Sequence, residues 1–93
     1  MKKMAQLDLQ KLKKRRKEID FIDRRLLGLL NQRLHIALEI GEIKKEMGEK
    51  IYDSKREKEI LEGLKIVNKG PLKEQDLKKI FKTIMRVSRR SQS

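Results

Sequence analysis

The sequence has no cysteine and no tryptophan, one proline, one histidine, and only three aromatic side chains, Phe21, Tyr52 and Phe81. Without cysteine there can be no disulfide, no thiolate metal ligand and no cysteine nucleophile. A single histidine, His35, is too little for a histidine-based metal site or a catalytic triad, so no metal is expected. No run of 18 apolar residues occurs, which argues against a membrane span. Met1-Lys2-Lys3-Met4 is basic but no apolar stretch follows, so no secretory signal is expected and a cytoplasmic location is the default reading. With 93 residues the chain is read as one domain over 1–93, with residues 1–10 as the stretch open to disorder. Its 37% hydrophobic content is a thin core for a chain near the size where burial becomes marginal.

What the sequence has in abundance is charge. Charged residues make up 43%, with 26 Lys+Arg against 14 Asp+Glu and a net charge of +12. Such an excess first suggests nucleic acid. Its distribution argues otherwise. Residues 1–25 carry 10 basic and 4 acidic groups, residues 26–70 carry 9 and 8, and residues 71–93 carry 7 and 2. The middle is balanced and the excess lies at the two ends, which does not describe one continuous basic face.

Glycine and proline divide the chain at Gly48 and at Gly70-Pro71, predicting three helices. In the first, Ile19, Ile22, Leu26, Leu29, Ile36, Ile40, Ile43 and Met47 recur in steps of three and four. Leu27, Leu30, Leu34 and Ala37 widen this stripe to a broad apolar face, and Gly48 suits the helix stop. The second helix opens at Asp53-Ser54, with Ser54 and Glu57 at capping-box spacing. Its apolar face is Ile60, Leu61, Leu64 and Val67, and Asn68-Lys69-Gly70 ends it. Pro71 suits the first turn of the third helix, whose inward face is Leu77, Ile80, Phe81 and Ile84. The expected fold class is therefore all-α, with one long helix and two shorter ones.

A helix from about Leu7 to Met47 is roughly 60 Å long at 1.5 Å per residue. A compact body of this chain length is only roughly 30 Å across. Two short helices cannot cover such a stripe, so a second copy of the chain is expected to do so in an intertwined antiparallel homodimer.

The stripe has one gap in its register, and Arg33 fills it. Eleven residues on, close to three turns, stands Lys44 on the same face. Ala37 and Gly41 lie between them and are small. The two Cα atoms would be about 16 Å apart, a span that two long side chains can clasp around a small ligand. A buried arginine needs an anion. One arginine is as readily paired with a carboxylate of a neighbouring helix. The pattern repeats, however: Arg56 and Glu57 precede the apolar residues of the second helix by one turn, and the third stripe continues into Ser88 and Gln92. One carboxylate, Glu57, cannot neutralise three inward cations. A net-positive pocket within a small bundle suits a small polyanion. Arg16 continues the stripe backward but lies about 25 Å from Arg33 along the helix. It reaches the same ligand only from the partner of an antiparallel dimer, and within the run Lys11–Lys17 it also reads as a solvated charge.

No nucleophile with an adjacent base is visible. What remains is positioning and electrostatic stabilisation by fixed donors, enough for a unimolecular rearrangement or for binding alone.

Three stretches carry a family resemblance. Arg16-Lys17-Glu18-Ile19-Asp20-Phe21-Ile22-Asp23, Leu26 through Arg33, and Glu39-Ile40-Gly41-Glu42-Ile43-Lys44 resemble the first helix of the all-α chorismate mutases. Tyr52-Asp53-Ser54-Lys55-Arg56-Glu57 resembles the start of that family's second helix. Gly70-Pro71-Leu72 through Ser88-Arg89-Arg90-Ser91-Gln92 resembles its third. The similarity covers residues 12–92 and is greatest to the mutase modules fused to prephenate dehydratase. It implies an intertwined dimer that converts chorismate, a dicarboxylate, to prephenate by a Claisen rearrangement, without cofactor, metal, nucleic acid or membrane. It also implies roles. Arg33 and, from the other chain, Arg16 would bind the two carboxylates. Lys44 would contact a carboxylate and the ether oxygen, to which Gln92 would donate a second bond. Glu57 and the backbone at Asp53 would hold the ring hydroxyl, and Arg56 and Ser88 would complete the carboxylate side. Gln92 stands one residue from the chain end, where a turn frays unless docked. Two other readings stand beside this one: an isochorismate-pyruvate lyase on the same scaffold, and a basic helical protein that binds nucleic acid or a partner without catalysis.

Overall fold

The computed structural model describes residues 2–93, with side chains from residue 5 onward. The described chain is all-α, as expected: α1 spans Lys2–Met47, α2 spans Ser54–Val67 and α3 spans Glu74–Gln92. The disorder expected over residues 1–10 falls partly on Met1, which lies outside the described residues. The chain divides into two compact units, residues 1–33 and residues 34–93.

The first unit is the part of α1 up to Arg33. Its apolar stripe faces solvent in the single chain, and Ile19, Ile22, Leu26 and Leu29 are all more than half exposed. Two contacts lie along the helix: Arg15 Nη1 donates to Glu18 Oε2 at 2.8 Å, and the Arg25 guanidinium lies 6.0 Å from the centroid of the Phe21 ring.

The second unit holds the end of α1 with α2 and α3. Helix α1 stops where glycine permits it. Gly48 takes φ +70; its amide donates to Lys45 O at 3.2 Å, and Glu49 N donates to Lys44 O at 2.8 Å. This is the paired Schellman closure, which side chains with a Cβ resist.

Helix α2 is capped by Asp53 rather than Ser54. Asp53 is still extended, and its carboxylate accepts from the Arg56 amide at 3.0 Å. Ser54 is already the first helical residue, so Arg56 rather than Glu57 occupies the third helical position. The capping box expected from Ser54 and Glu57 therefore does not form, and Glu57 is released for other contacts. At the far end Asn68 organises the turn: its side chain donates to Leu72 O at 2.8 Å and accepts from Gly70 N at 3.3 Å.

Helix α3 begins at Glu74 and not at Pro71, because Lys73 is still extended with ψ 149. Glu74 and Asp76 in its first turn complement the helix dipole. Glu74 also reaches Lys65 on α2 at 3.1 Å, and Lys65 pairs with Glu62 at 3.1 Å too.

The buried set is small. Ala37, Leu77, Met85 and Ser88 are its members among the described side chains, and no large side chain is completely enclosed. On α3 the inward face is Leu77, Phe81, Ile84, Met85 and Ser88, whereas Ile80 is exposed. On α2, Ile60, Leu61 and Leu64 are half-buried, but Val67 is exposed at the helix end. The two corrections share a cause. A stripe drawn at steps of three and four is wider than the arc that one neighbouring helix covers.

Candidate active site

The second unit contains six of the residues singled out above, and three of them make tertiary polar ties. Gln92 on α3 reaches back to α1, where its Nε2 donates to Ala37 O at 2.7 Å. Lys44, at the end of α1, donates through Nζ to Ile51 O in the connection to α2 at 3.0 Å. Glu57 on α2 pairs with Arg89 on α3.

The seat of Gln92 explains Gly41. A Cβ added at Gly41 would stand 2.9 Å from Gln92 Cγ and 3.1 Å from its Cβ. Only glycine leaves the channel in which that side chain lies. The room that Ala37 and Gly41 leave on α1 is thus occupied from α3 within the same unit. It docks the last turn of α3, which would otherwise fray.

Ser88 is buried, and its Oγ donates to Ile84 O at 3.0 Å, a bond within its own helix. Asp53 is the α2 cap. Arg56 is solvent-exposed and lies 3.6 Å from Glu59, so it does not turn inward in the single chain. Arg16 and Arg33 belong to the first unit, where Arg16 is exposed and Arg33 half-buried. His35 is exposed.

Arg89 is the residue that spacing did not pick out. In the structure its Nη1 donates to Glu57 Oε2, and its guanidinium stacks over Tyr52, 4.7 Å from the ring centroid. A signal was present: Phe81, Met85 and Arg89 follow one another at four-residue steps, which continues the buried face of α3 onto the arginine.

Chemically, this set offers oriented donors and one carboxylate. Lys44 spends one of its three N–H groups on Ile51, and Gln92 spends one of its two on Ala37. Each therefore keeps a donor for a ligand while its own position is fixed. No group of His, Asp and Glu among the described residues is arranged to hold a metal ion, and no described helix is long and apolar enough to cross a membrane.

Comparison with known proteins identifies the class to which this arrangement belongs. Residues 15–93 match the family described as chorismate mutase type II. The chain is 46% identical over 61 residues to the bifunctional chorismate mutase/prephenate dehydratase of Aquifex aeolicus, covering 66% of this chain and 17% of that protein. It is 39% identical over 57 residues to the chorismate mutase of Methanocaldococcus jannaschii, covering 61% of this chain and 58% of that one. Among solved structures, the chorismate mutase of Thermus thermophilus (form II) aligns with a TM-score of 0.82 at 38% identity, over 84% of this chain and 89% of that one. The chorismate mutase of Helicobacter pylori in complex with prephenate aligns with a TM-score of 0.81 at 40% identity, over 87% and 88%. The chain belongs to the type II chorismate mutase family. It spans less than a quarter of the length of its bifunctional relatives.

Proposed function

We propose that the protein is a chorismate mutase, converting chorismate to prephenate as an intertwined homodimer. The observation that carries this reading is the likeness, over 87% of the chain, to a chorismate mutase holding prephenate. The tied side chains of the second unit fit it.

The rearrangement is intramolecular: an ether C–O bond breaks as a C–C bond forms, with no proton transfer and no covalent intermediate. The protein's task is then to hold the reactive conformer and stabilise charge as it builds on the ether oxygen. In this reading the spare N–H groups of Lys44 and Gln92 meet that oxygen. Removing one such donor costs about 10²–10³ in turnover. Glu57 and the backbone at Asp53 hold the ring hydroxyl. Arg33 and the partner subunit's Arg16 bind the carboxylates, with Arg56 and Ser88 completing that side.

Surface area supports the dimer. The single chain leaves 8645 Å² accessible. A compact monomer of 11.1 kDa would expose about 5,700 Å². The difference is roughly 3,000 Å² per chain, about 6,000 Å² over two chains, the upper end of what large obligate interfaces bury, and the exposed Ile19, Ile22, Leu26 and Leu29 contribute to it.

The test is the loss of chorismate absorbance on adding purified protein, with prephenate identified as product. No rate above background from a folded dimer sinks the reading. Formation of pyruvate from isochorismate instead would move it to the lyase. For the shared site, an Arg16→Ala chain mixed with an Arg33→Ala chain restores activity through one intact hybrid site. Hybrid dimers that form and stay inactive would overturn the sharing.

A further inference from the structure

Glu57 and Arg89 stand 32 residues apart in sequence and meet as α2 packs on α3. Their side chains are 21% and 31% exposed, so water screens the pair only partly. The guanidinium uses two of its surfaces at once. Its edge donates to Glu57 Oε2 and its face covers the Tyr52 ring. A planar fork can do both, whereas an ammonium offers only a point charge. One side chain thereby joins the residue just before the α2 cap, the first turns of α2 and the last turns of α3.

The pairing also orients the carboxylate. Oε2 is taken by Arg89, and no bond to Oε1 is made among the described residues. An unpaired Glu57 would be free to turn toward Lys55 or Lys58, both exposed beside it. With Arg89 in place, one oxygen is held and the other is presented in a single orientation. The α3 residue before Arg89 is Ser88, and Gln92 follows three positions later, so the same tie steadies the turn that carries both.

We propose that Arg89 is a positioning residue of the mutase site. It acts through Glu57, by fixing which carboxylate oxygen faces the substrate's ring hydroxyl, and it locks the end of α3 to the start of α2. This rests on the mutase reading of the site.

The experiment is a double-mutant cycle of Glu57→Gln, Arg89→Ala and the two together, with kcat and KM for chorismate, helical circular dichroism and the spectrum of Tyr52. Arg89→Ala is expected to lower kcat/KM about 10-fold with helix content unchanged, since the carboxylate it orients remains but wanders. The double variant should be no worse than Glu57→Gln alone, because the carboxylate that Arg89 orients is already gone. If the two losses multiply instead, Arg89 acts independently of Glu57 and the proposal fails. A merely structural Arg89 would lower the melting temperature, leave kcat/KM of the folded enzyme unchanged, and likewise overturn it. Arg89→Lys, the milder change, guards against misfolding of the alanine variant. It should lose several-fold in kcat/KM, since it cannot pair and stack together; wild-type kinetics would refute the fork-and-stack geometry.

Tyr52 supplies a readout apart from turnover. It is the only tyrosine and there is no tryptophan, so the fluorescence and near-ultraviolet dichroism of tyrosine report the stacked guanidinium directly. Both are expected to change in Arg89→Ala and in Glu57→Gln. If the wild-type protein proves inactive on chorismate, the functional reading falls by that result alone. The Tyr52 signal still decides the clamp, and an unchanged spectrum in both variants overturns it.

Discussion

Residues 1–33 and residues 34–93 treat the same kind of helical pattern in opposite ways. In the first unit, α1 presents Ile19, Ile22, Leu26 and Leu29 to solvent, and the contacts of Arg15 and Arg25 reach no further than one turn along the helix. In the second, few side chains are buried, yet Lys44, Glu57 and Gln92 each reach another segment. Apolar residues placed where their own chain cannot cover them call for a partner. Polar residues placed in a core are held only where each finds a bond. In the proposed dimer the first unit would supply the association surface and the second the fixed polar groups.

Breaking the first half should have the largest effect. Leu26→Asp puts a charge into the stripe, and sedimentation is expected to show monomers with activity reduced beyond detection. An active monomer would remove the division of labour altogether. Next comes Lys44→Ala, with turnover expected to fall by about 10²–10³-fold while the helical dichroism survives. Retained turnover would mean that the ether oxygen is not stabilised from this position.

Gly41→Ala sharpens the comparison inside the second unit. Its methyl group would expel the Gln92 side chain. Alanine also gains about 1 kcal/mol over glycine within a helix, which offsets part of the crowding cost. The expected outcome is a thermal midpoint close to wild type with kcat lowered by about 10²-fold, the effect of displacing the side chain proposed to donate to the ether oxygen. A large drop in stability with unchanged kcat would make Gly41 a packing residue alone.

The smallest effect concerns Lys65 and Glu74. The hydrogen bond to Lys65 holds the Glu74 carboxyl below its ordinary range, and the bonds to Glu74 and then Glu62 hold the Lys65 ammonium above its own. A lowered carboxylate contributes stability that is present above its unfolded range and is lost as pH falls through it. A raised ammonium contributes stability that is lost only as pH rises through the lysine range. The tie between α2 and α3 should therefore be intact between those limits. Because Glu74 is 61% exposed, salt should weaken it. Glu74→Gln is expected to lower the melting temperature slightly at neutral pH, and not at all at a pH below the carboxylate range. An equal drop at both would show that charge plays no part.

Much of the fold was legible because its breaks are made by residues with strong backbone preferences. Gly48 adopts the left-handed closure of α1 that its position suggested, and Asn68 through Gly70 end α2. The helix starts were less legible. Whether Asp53 or Ser54 caps α2 turns on which of two adjacent residues is still extended, and both have capping side chains. Pro71 is compatible with a first helical turn, but the chain stays extended through Lys73. In the site, periodicity placed Lys44, Ser88 and Gln92 toward the interior. It missed Arg89 because the inward stripe was drawn through Leu77, Ile80, Phe81 and Ile84 and left out Met85, from which the four-residue step leads to the arginine.

The sequence by itself determined three helices, their breaks, and an apolar stripe too long for its own chain to cover. These follow from local backbone preference and from a period that each helix carries alone. The tertiary structure decided which side chains meet: Gln92 in the groove over Gly41, Lys44 on the carbonyl of Ile51, and Arg89 between Glu57 and Tyr52. Such pairings depend on the rotation and offset of one helix against another. Those are set by the summed packing of many residues, and spacing along a single helix does not contain them.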